Sequence, residues 1–142
     1  MVDPMGLTMN NRAPLLFCYL REIRATGRRF RAGRFDCALF AAEWVKRCSG
    51  KDLAAQWRGT YRRLDQGRDQ LAMAGFCSLD DLAAHHLVEI DGWSQAQVGD
   101  IAAIQEAGEI ALGIFGGPQI HVLSLDGLDY VNPANAYRVF RP

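Results

Sequence analysis

Cys37 is the residue of this chain best placed to do chemistry. It stands in the run Arg34-Phe35-Asp36-Cys37-Ala38-Leu39-Phe40-Ala41-Ala42-Glu43-Trp44-Val45, where a Gly/Arg-rich loop turns into an apolar helix. Asp36 is a good N-cap, which makes Cys37 the first helical residue, beside backbone N–H groups that have no partner within the helix. The positive end of a helix dipole favours the thiolate, the form of cysteine that attacks carbonyl carbons, and nearby cations push the same way. Arg24, Arg28, Arg29, Arg31 and Arg34 all precede it. On position and charge, Cys37 is expected to react fastest of the four cysteines, provided its site is open. The competing reading is a small buried hydrophobe, the usual state of a free cysteine. Cys18, Cys48 and Cys77 read as structural. Trp44, Trp57, Trp93 and Tyr61 read as core or subunit-contact residues rather than a sugar-binding platform.

The elements around Cys37 divide into two blocks. The first half reads as helices. One starts near Pro14, carries Leu15, Leu16, Tyr19, Leu20 and Ile23 on one face, and ends at Gly27. The second runs from Cys37 to about Cys48 and stops at Ser49-Gly50; its apolar residues cover most of its circumference, so it is expected to be the buried central helix. A short third helix is expected over Asp52–Arg58, with weaker ones over Asp65–Ala74 and Ser78–His86, the last opened by a capping-box-like Ser78/Asp81 pair. After Trp93 the period changes. Ile101–Gln105, Ile110–Phe115, Ile120–Ser124 and Tyr137–Phe140 read as short strands, with Leu128–Val131 as a further one and Gly116-Gly117 as a hairpin turn. Helices first and then an antiparallel sheet is an α+β layout, a nucleophile-bearing helix packed on a C-terminal sheet.

Composition places limits on function. The chain of 142 residues reads as one domain over 1–142, with 1–13 as a flexible or partner-bound arm, and is large enough for a core without metal or disulfide staples. Four cysteines without a Cys-x-x-Cys pair suit a reducing compartment. Met1–Asn11 lacks a basic stretch followed by an apolar core, so no signal peptide is expected. The uncharged stretch from Ile110 to Leu125 is broken by Gly116-Gly117-Pro118 and is no membrane span. Formal charge is zero, yet residues 1–70 hold 14 Lys/Arg against 7 Asp/Glu, and residues 71–142 hold 2 against 9. The halves therefore carry +7 and −7, a division that suits mutual attraction or a fixed place between neighbouring proteins. The basic cluster lacks interleaved aromatics or a nucleic-acid motif, so nucleic acid is not the expected partner.

At Phe35-Asp36-Cys37 the chain resembles the NlpC-type, papain-like cell-wall peptidases, in which an Asp-Cys pair begins the catalytic helix and a Gly-Asp pair opens the first main strand, here Gly99-Asp100-Ile101-Ala102-Ala103-Ile104. The segments Gly33-Arg34-Phe35-Asp36-Cys37, Trp44-Val45, Gly50-Lys51-Asp52, Arg58-Gly59-Thr60-Tyr61 and Gly99-Asp100-Ile101 are similar to a small phage- and prophage-encoded branch of that superfamily, usually encoded beside tail genes. The resemblance runs from about Leu15 to the end of the chain. It implies a papain-like fold and a cysteine peptidase acting on peptidoglycan stem peptides at a phage tail tip. That protein would assemble in the host cytoplasm as a virion component, without a cofactor or metal.

The resemblance makes Cys37 the nucleophile, with helix-start N–H groups as the oxyanion site. The general-base position, however, is held by Ala111, which cannot take a proton. His121 matches the third, orienting position and is expected roughly opposite Ala111 across the hairpin, as base or as remnant of a lost triad. His85 and His86 are the other histidine candidates; they point to different faces of one helix and cannot chelate one ion as an i, i+4 pair would. Two readings follow: a peptidase using Cys37 with His121, or a catalytically degenerate structural or assembly component of a tail, partnered by other tail proteins. An intracellular amidase or acyltransferase is a third and weaker class.

Overall fold

The computed structural model describes residues 12–142 as four helices and a six-stranded antiparallel sheet, an α+β architecture. The helices are α1 (Arg12–Thr26), α2 (Cys37–Ser49), α3 (Leu64–Met73) and α4 (Leu79–His86). The strands are β1 (Val88–Ile90), β2 (Ile101–Glu106), β3 (Glu109–Phe115), β4 (Ile120–Ser124), β5 (Gly127–Val131) and β6 (Ala136–Arg141), in the spatial order β1-β6-β2-β3-β4-β5. Arg12 and Ala13 already belong to α1, so the expected arm is shorter than 1–13; the rest of it lies outside the described residues. Among the described residues no helix is long and apolar enough to cross a membrane.

Local chemistry sets the start and stop of α2. The Asp36 carboxylate accepts from the Leu39 N–H at 3.0 Å, Gly50 ends the helix in the left-handed region at φ 81°, and Lys46 and Arg47 in the last turn complement the dipole. Its inward face presents Phe40, Ala41, Trp44 and Val45 to α1, where Tyr19 stacks on Phe40 and Trp44 at centroid distances of 5.6 and 6.5 Å. The Tyr19 hydroxyl, buried with its ring, donates to the Phe40 carbonyl at 2.7 Å. Burying each such side chain contributes about 2–3 kcal/mol, which makes the α1–α2 contact the anchor of the helical layer.

β2 is buried on both faces. Ile101 and Ala103 face the helices, whereas Ala102 and Ile104 join Phe115, Ile120 and Val139 in a second cluster on the other side of the sheet. That explains its continuous apolar run, since no strand position faces water until Gln105. The β2–β3 hairpin turns on Ala107 and Gly108, both at positive φ (50° and 81°), the type I′ geometry whose twist matches the strands. The β3–β4 turn closes with the Gly116 N–H donating to Gln119 at 2.8 Å, at the Gly116-Gly117 signal.

Two expectations about elements need correction. Asp52–Arg58 is a run of turns rather than a helix; the Trp57 and Arg58 N–H groups both reach the Ala54 carbonyl, and the chain leaves that turn to bond Gly59 to Gly33. Ser78 precedes α4, but its hydroxyl bonds Asp80 instead of capping the helix, because Asp80 is turned inward to meet Arg138 at 2.9 Å. β1 carried too few residues to read as a strand in the sequence.

Candidate functional site

Asp36 and Cys37 begin α2 together and face different surroundings. The Asp36 carboxylate is buried and accepts from three donors: the Leu39 N–H, the Gly33 N–H at 3.0 Å and the Tyr61 hydroxyl. Gly33 is fixed by the same joint. Its φ is +78°, and a Cβ there would lie 1.8 Å from the Tyr61 carbonyl oxygen, while its own carbonyl accepts from the Gly59 N–H at 2.8 Å. Thus two separate sequence segments, Gly33–Cys37 and Arg58–Tyr61, form one hydrogen-bonded knot under the start of α2. Burial first, and then the hydrogen bond to Asp36, raises the Tyr61 phenol far above its ordinary value, so it stays a donor.

Cys37 sits above that knot at a cavity of about 610 Å³. Burial dominates its titration and pushes the thiol up to about 11. The backbone N–H groups of Leu112 and Ala38 act against this, while the negative charges of Asp36 and Glu106 add to it. The expectation of an arginine-activated thiolate is therefore corrected. The charges that most affect the sulfur are acidic, and desolvation outweighs the helix start. Cys18 and Cys77, read from sequence as structural, are exposed, and Cys48 is half-buried with its thiol at 3.7 Å from the Val45 carbonyl. Cys37 is half-buried like Cys48, so Cys18 and Cys77 are the more accessible thiols.

The histidines do not converge on Cys37. Strand register places His121 opposite Ile114, not opposite Ala111, whose β2 partner is Ile104. The imidazole leans toward the hairpin turn; a Cβ on Gly116 would lie 2.3 Å from its Nε2. Gly116 is four residues beyond Leu112, roughly 13 Å along the strand, and Leu112 is the strand residue that touches the sulfur. Burial, followed by the positive charge of Arg24, holds His121 below the ordinary histidine value and keeps it neutral. Ala111, by contrast, lines the cavity with Cys37. His86 also lines it, but at the far end: it feels the charge of Lys51, which follows the last turn of α2, about 20 Å from the first. His85 packs edge-on against Phe76 and His86. Among the described residues no three His, Cys, Asp or Glu side chains come together as metal ligands, and the zinc arrangement of Cys37, His121 and a third histidine is not assembled.

The remaining signals have structural occupations. Gly99 takes φ +94° against the Trp44 ring, whose Nε1–H donates to the Gly99 carbonyl at 2.8 Å. Buried Asp100 is held by Arg141 through two bonds of 3.0 and 2.8 Å. Arg138 holds Asp80 and Glu89 on the other side of β6. The two basic residues of the second half are thus both tied into ion pairs with carboxylates of the same half. Among the described residues Arg68–Glu109, at 3.7 Å, is the one salt bridge that joins the +7 half to the −7 half, so the halves keep most of their opposite charge. Sequence reasoning missed the groove walls contributed by Trp57, Leu71 and Leu82; the one signal for them was apolar residues on α3 and α4 without an assigned partner.

Residues 10–142 match a family described as a domain of unknown function (DUF6950), and the chain belongs to that family. No curated protein matches the sequence.

Proposed function

We propose that this domain is a catalytically silent relative of the NlpC-type, papain-like peptidases and serves as a structural or assembly component of a phage tail. The observation that carries the reading is the content of the Cys37 cavity. The thiol meets the Leu112 backbone there; Ala111 carries no titratable group and, paired with Ile104, turns its methyl to the other face of the sheet, while the imidazole of His121 stands by the Gly116 turn beside Arg24. A thiol pushed up to about 11 with no base in reach neither forms the attacking thiolate at neutral pH nor finds a donor for the leaving amine. The superfamily and the tail setting rest on the ordered motifs quoted above. The polar knot around Asp36 supports a domain that keeps the helix start for its geometry.

Exposed arginines support the assembly role. Arg24, Arg29, Arg31 and Arg34 make no salt bridge among the described residues, whereas Arg28 is engaged by Glu43 at 2.8 Å and lies over the Phe35 ring. Of Arg24, Arg28, Arg29 and Arg31, the basic residues expected at the surface to meet acidic partners, Arg28 is thus committed within the chain, and Arg24, Arg29 and Arg31 form the docking face. Matched against acidic patches on neighbouring tail proteins, it would set orientation and encounter rate.

Purified peptidoglycan is the direct test. Wild-type protein is expected to release no more stem-peptide fragments than Cys37→Ala. Release that depends on Cys37 and His121 would overturn the silent reading and restore the peptidase. Independently, Arg24→Glu/Arg29→Glu/Arg31→Glu is expected to fold normally and to enter tail particles poorly; normal incorporation would count against that face.

A further inference from the structure

The sheet comes apart beside Cys37. Among the described residues β3 pairs with β4 only at Ile114–His121 and Phe115–Ile120. Phe115 turns its N–H and C=O toward β2, bonding the Asp100 carbonyl and the Gly99 N–H at 2.8 Å each. In the alternating antiparallel pattern Ile110, Leu112 and Ile114 must then turn theirs toward β4. Ile114 meets His121, and the Leu112 N–H meets the Cys37 thiol. The outward N–H and C=O of Ile110 and the Leu112 carbonyl have no strand partner. At this point β3 and β4 diverge, and the cavity of about 610 Å³ opens between them, lined by Ile110, Leu112 and Leu123 from the two strands.

We propose that this cleft is a docking groove for an extended segment of a partner protein, apolar but carrying a basic side chain, which pairs with β3 at Ile110–Leu112. The proposal rests on the silent reading above, since a segment held there by an active enzyme would be cut. Three features favour this occupant. Unpaired backbone groups on a strand edge recognise an extended chain by strand addition, and neighbouring pockets take its alternate side chains. Those pockets are present: Trp57, Leu71, Leu82 and Leu123 line the cleft. Its rim carries Glu106, Glu109 and Asp126, with Arg68 already drawn to Glu109, so the rim selects a cation. An acyl chain would satisfy the apolar lining but leave the strand edge and the acidic rim unmatched.

The test uses the full chain and a fluorescein-labelled peptide, Val-Lys-Val-Leu-Val-amide, with its Glu-for-Lys counterpart. Fluorescence anisotropy is expected to show saturable binding of the Lys peptide, at least tenfold weaker binding of the Glu peptide, and slower alkylation of Cys37 at pH 9.5 when the Lys peptide is bound. Glu106→Lys/Asp126→Lys, both changes at exposed positions, should reverse the preference. Ile110→Pro should abolish binding. Ile110 faces Gln105 at a position that exchanges no bonds with β2, so the proline removes only the outward donor. Absence of saturable binding, equal binding of both peptides, or a preference that survives the rim reversal would overturn the groove. So would dimerisation at rising protein concentration that shields Cys37, which would assign the cleft to a second copy. Mass spectrometry of the peptide separates the two proposals, because a bound peptide that is cleaved through Cys37 overturns the silent reading and leaves the groove standing.

Discussion

Asp36 and Cys37 are neighbours in the chain, and the protein treats them oppositely. Every bond around Asp36 is polar and directed: three donors converge on one buried carboxylate, and a glycine at φ +78° brings the donors close. Around Cys37 the cavity is lined mostly by apolar residues, burial raises the thiol, and the charges that act on it, those of Asp36 and Glu106, are negative. Polar satisfaction is concentrated on holding the start of α2 and is absent from the work of activating sulfur. One helix start thus combines a fully bonded capping carboxylate with a thiol that burial keeps protonated.

Breaking the Asp36 side of that comparison should have the largest effect. Gly33→Ala places a methyl group 1.8 Å from the Tyr61 carbonyl oxygen in a left-handed conformation, and the obstructing atom is backbone that cannot swing aside. A loss of about 4 kcal/mol or more is expected, read as a large drop in the urea midpoint or failure to fold. Tyr61→Phe is milder. It removes one donor from a carboxylate that retains two, for about 2 kcal/mol, with the fold unchanged by circular dichroism. If Gly33→Ala were no worse than Tyr61→Phe, the knot would not be what fixes the helix start.

Much of this arrangement was legible in the sequence because its signals are local. Asp36 before an apolar run, Gly50 after it and Gly116-Gly117 between two strands each act within a few residues, and the α2 bounds and the β3–β4 hairpin followed. What the sequence concealed depends on long-range geometry. The contact between Gly33 and Tyr61 spans two loops, and nothing in either segment announces the other. His121 was expected opposite Ala111, but register is fixed by the turn, which sets it opposite Ile114. The thiol's state was misjudged because burial outweighs the arginines that precede Cys37 in sequence, while the charges that act on it are those of Asp36 and of Glu106, far along the chain. Asp52–Arg58 has helix-forming residues, yet the pull of Gly59 toward Gly33 ends it after one turn.

The smallest effect sharpens the Cys37 side. Its folded value of about 11 lies above the ordinary thiol value of 9.0. Between those two values the unfolded chain has lost the thiol proton and the folded protein still holds it. Fewer protons on the unfolded state mean that stability falls as pH rises, beginning near pH 9 and levelling off near 11. A two-unit difference corresponds to at most about 2.7 kcal/mol, and the open cavity reduces this to about 1 kcal/mol. Cys37→Ala should therefore lose less stability than wild type between pH 8.5 and 10.5, while the two proteins run parallel below pH 8. Alkylation mapped by mass spectrometry should agree, with Cys18 and Cys77 labelled first at pH 7.5 and Cys37 gaining close to tenfold in rate per pH unit up to pH 10. A Cys37 that labels fastest at neutral pH would mean that its sulfur is activated after all, and the contrast with Asp36 would collapse.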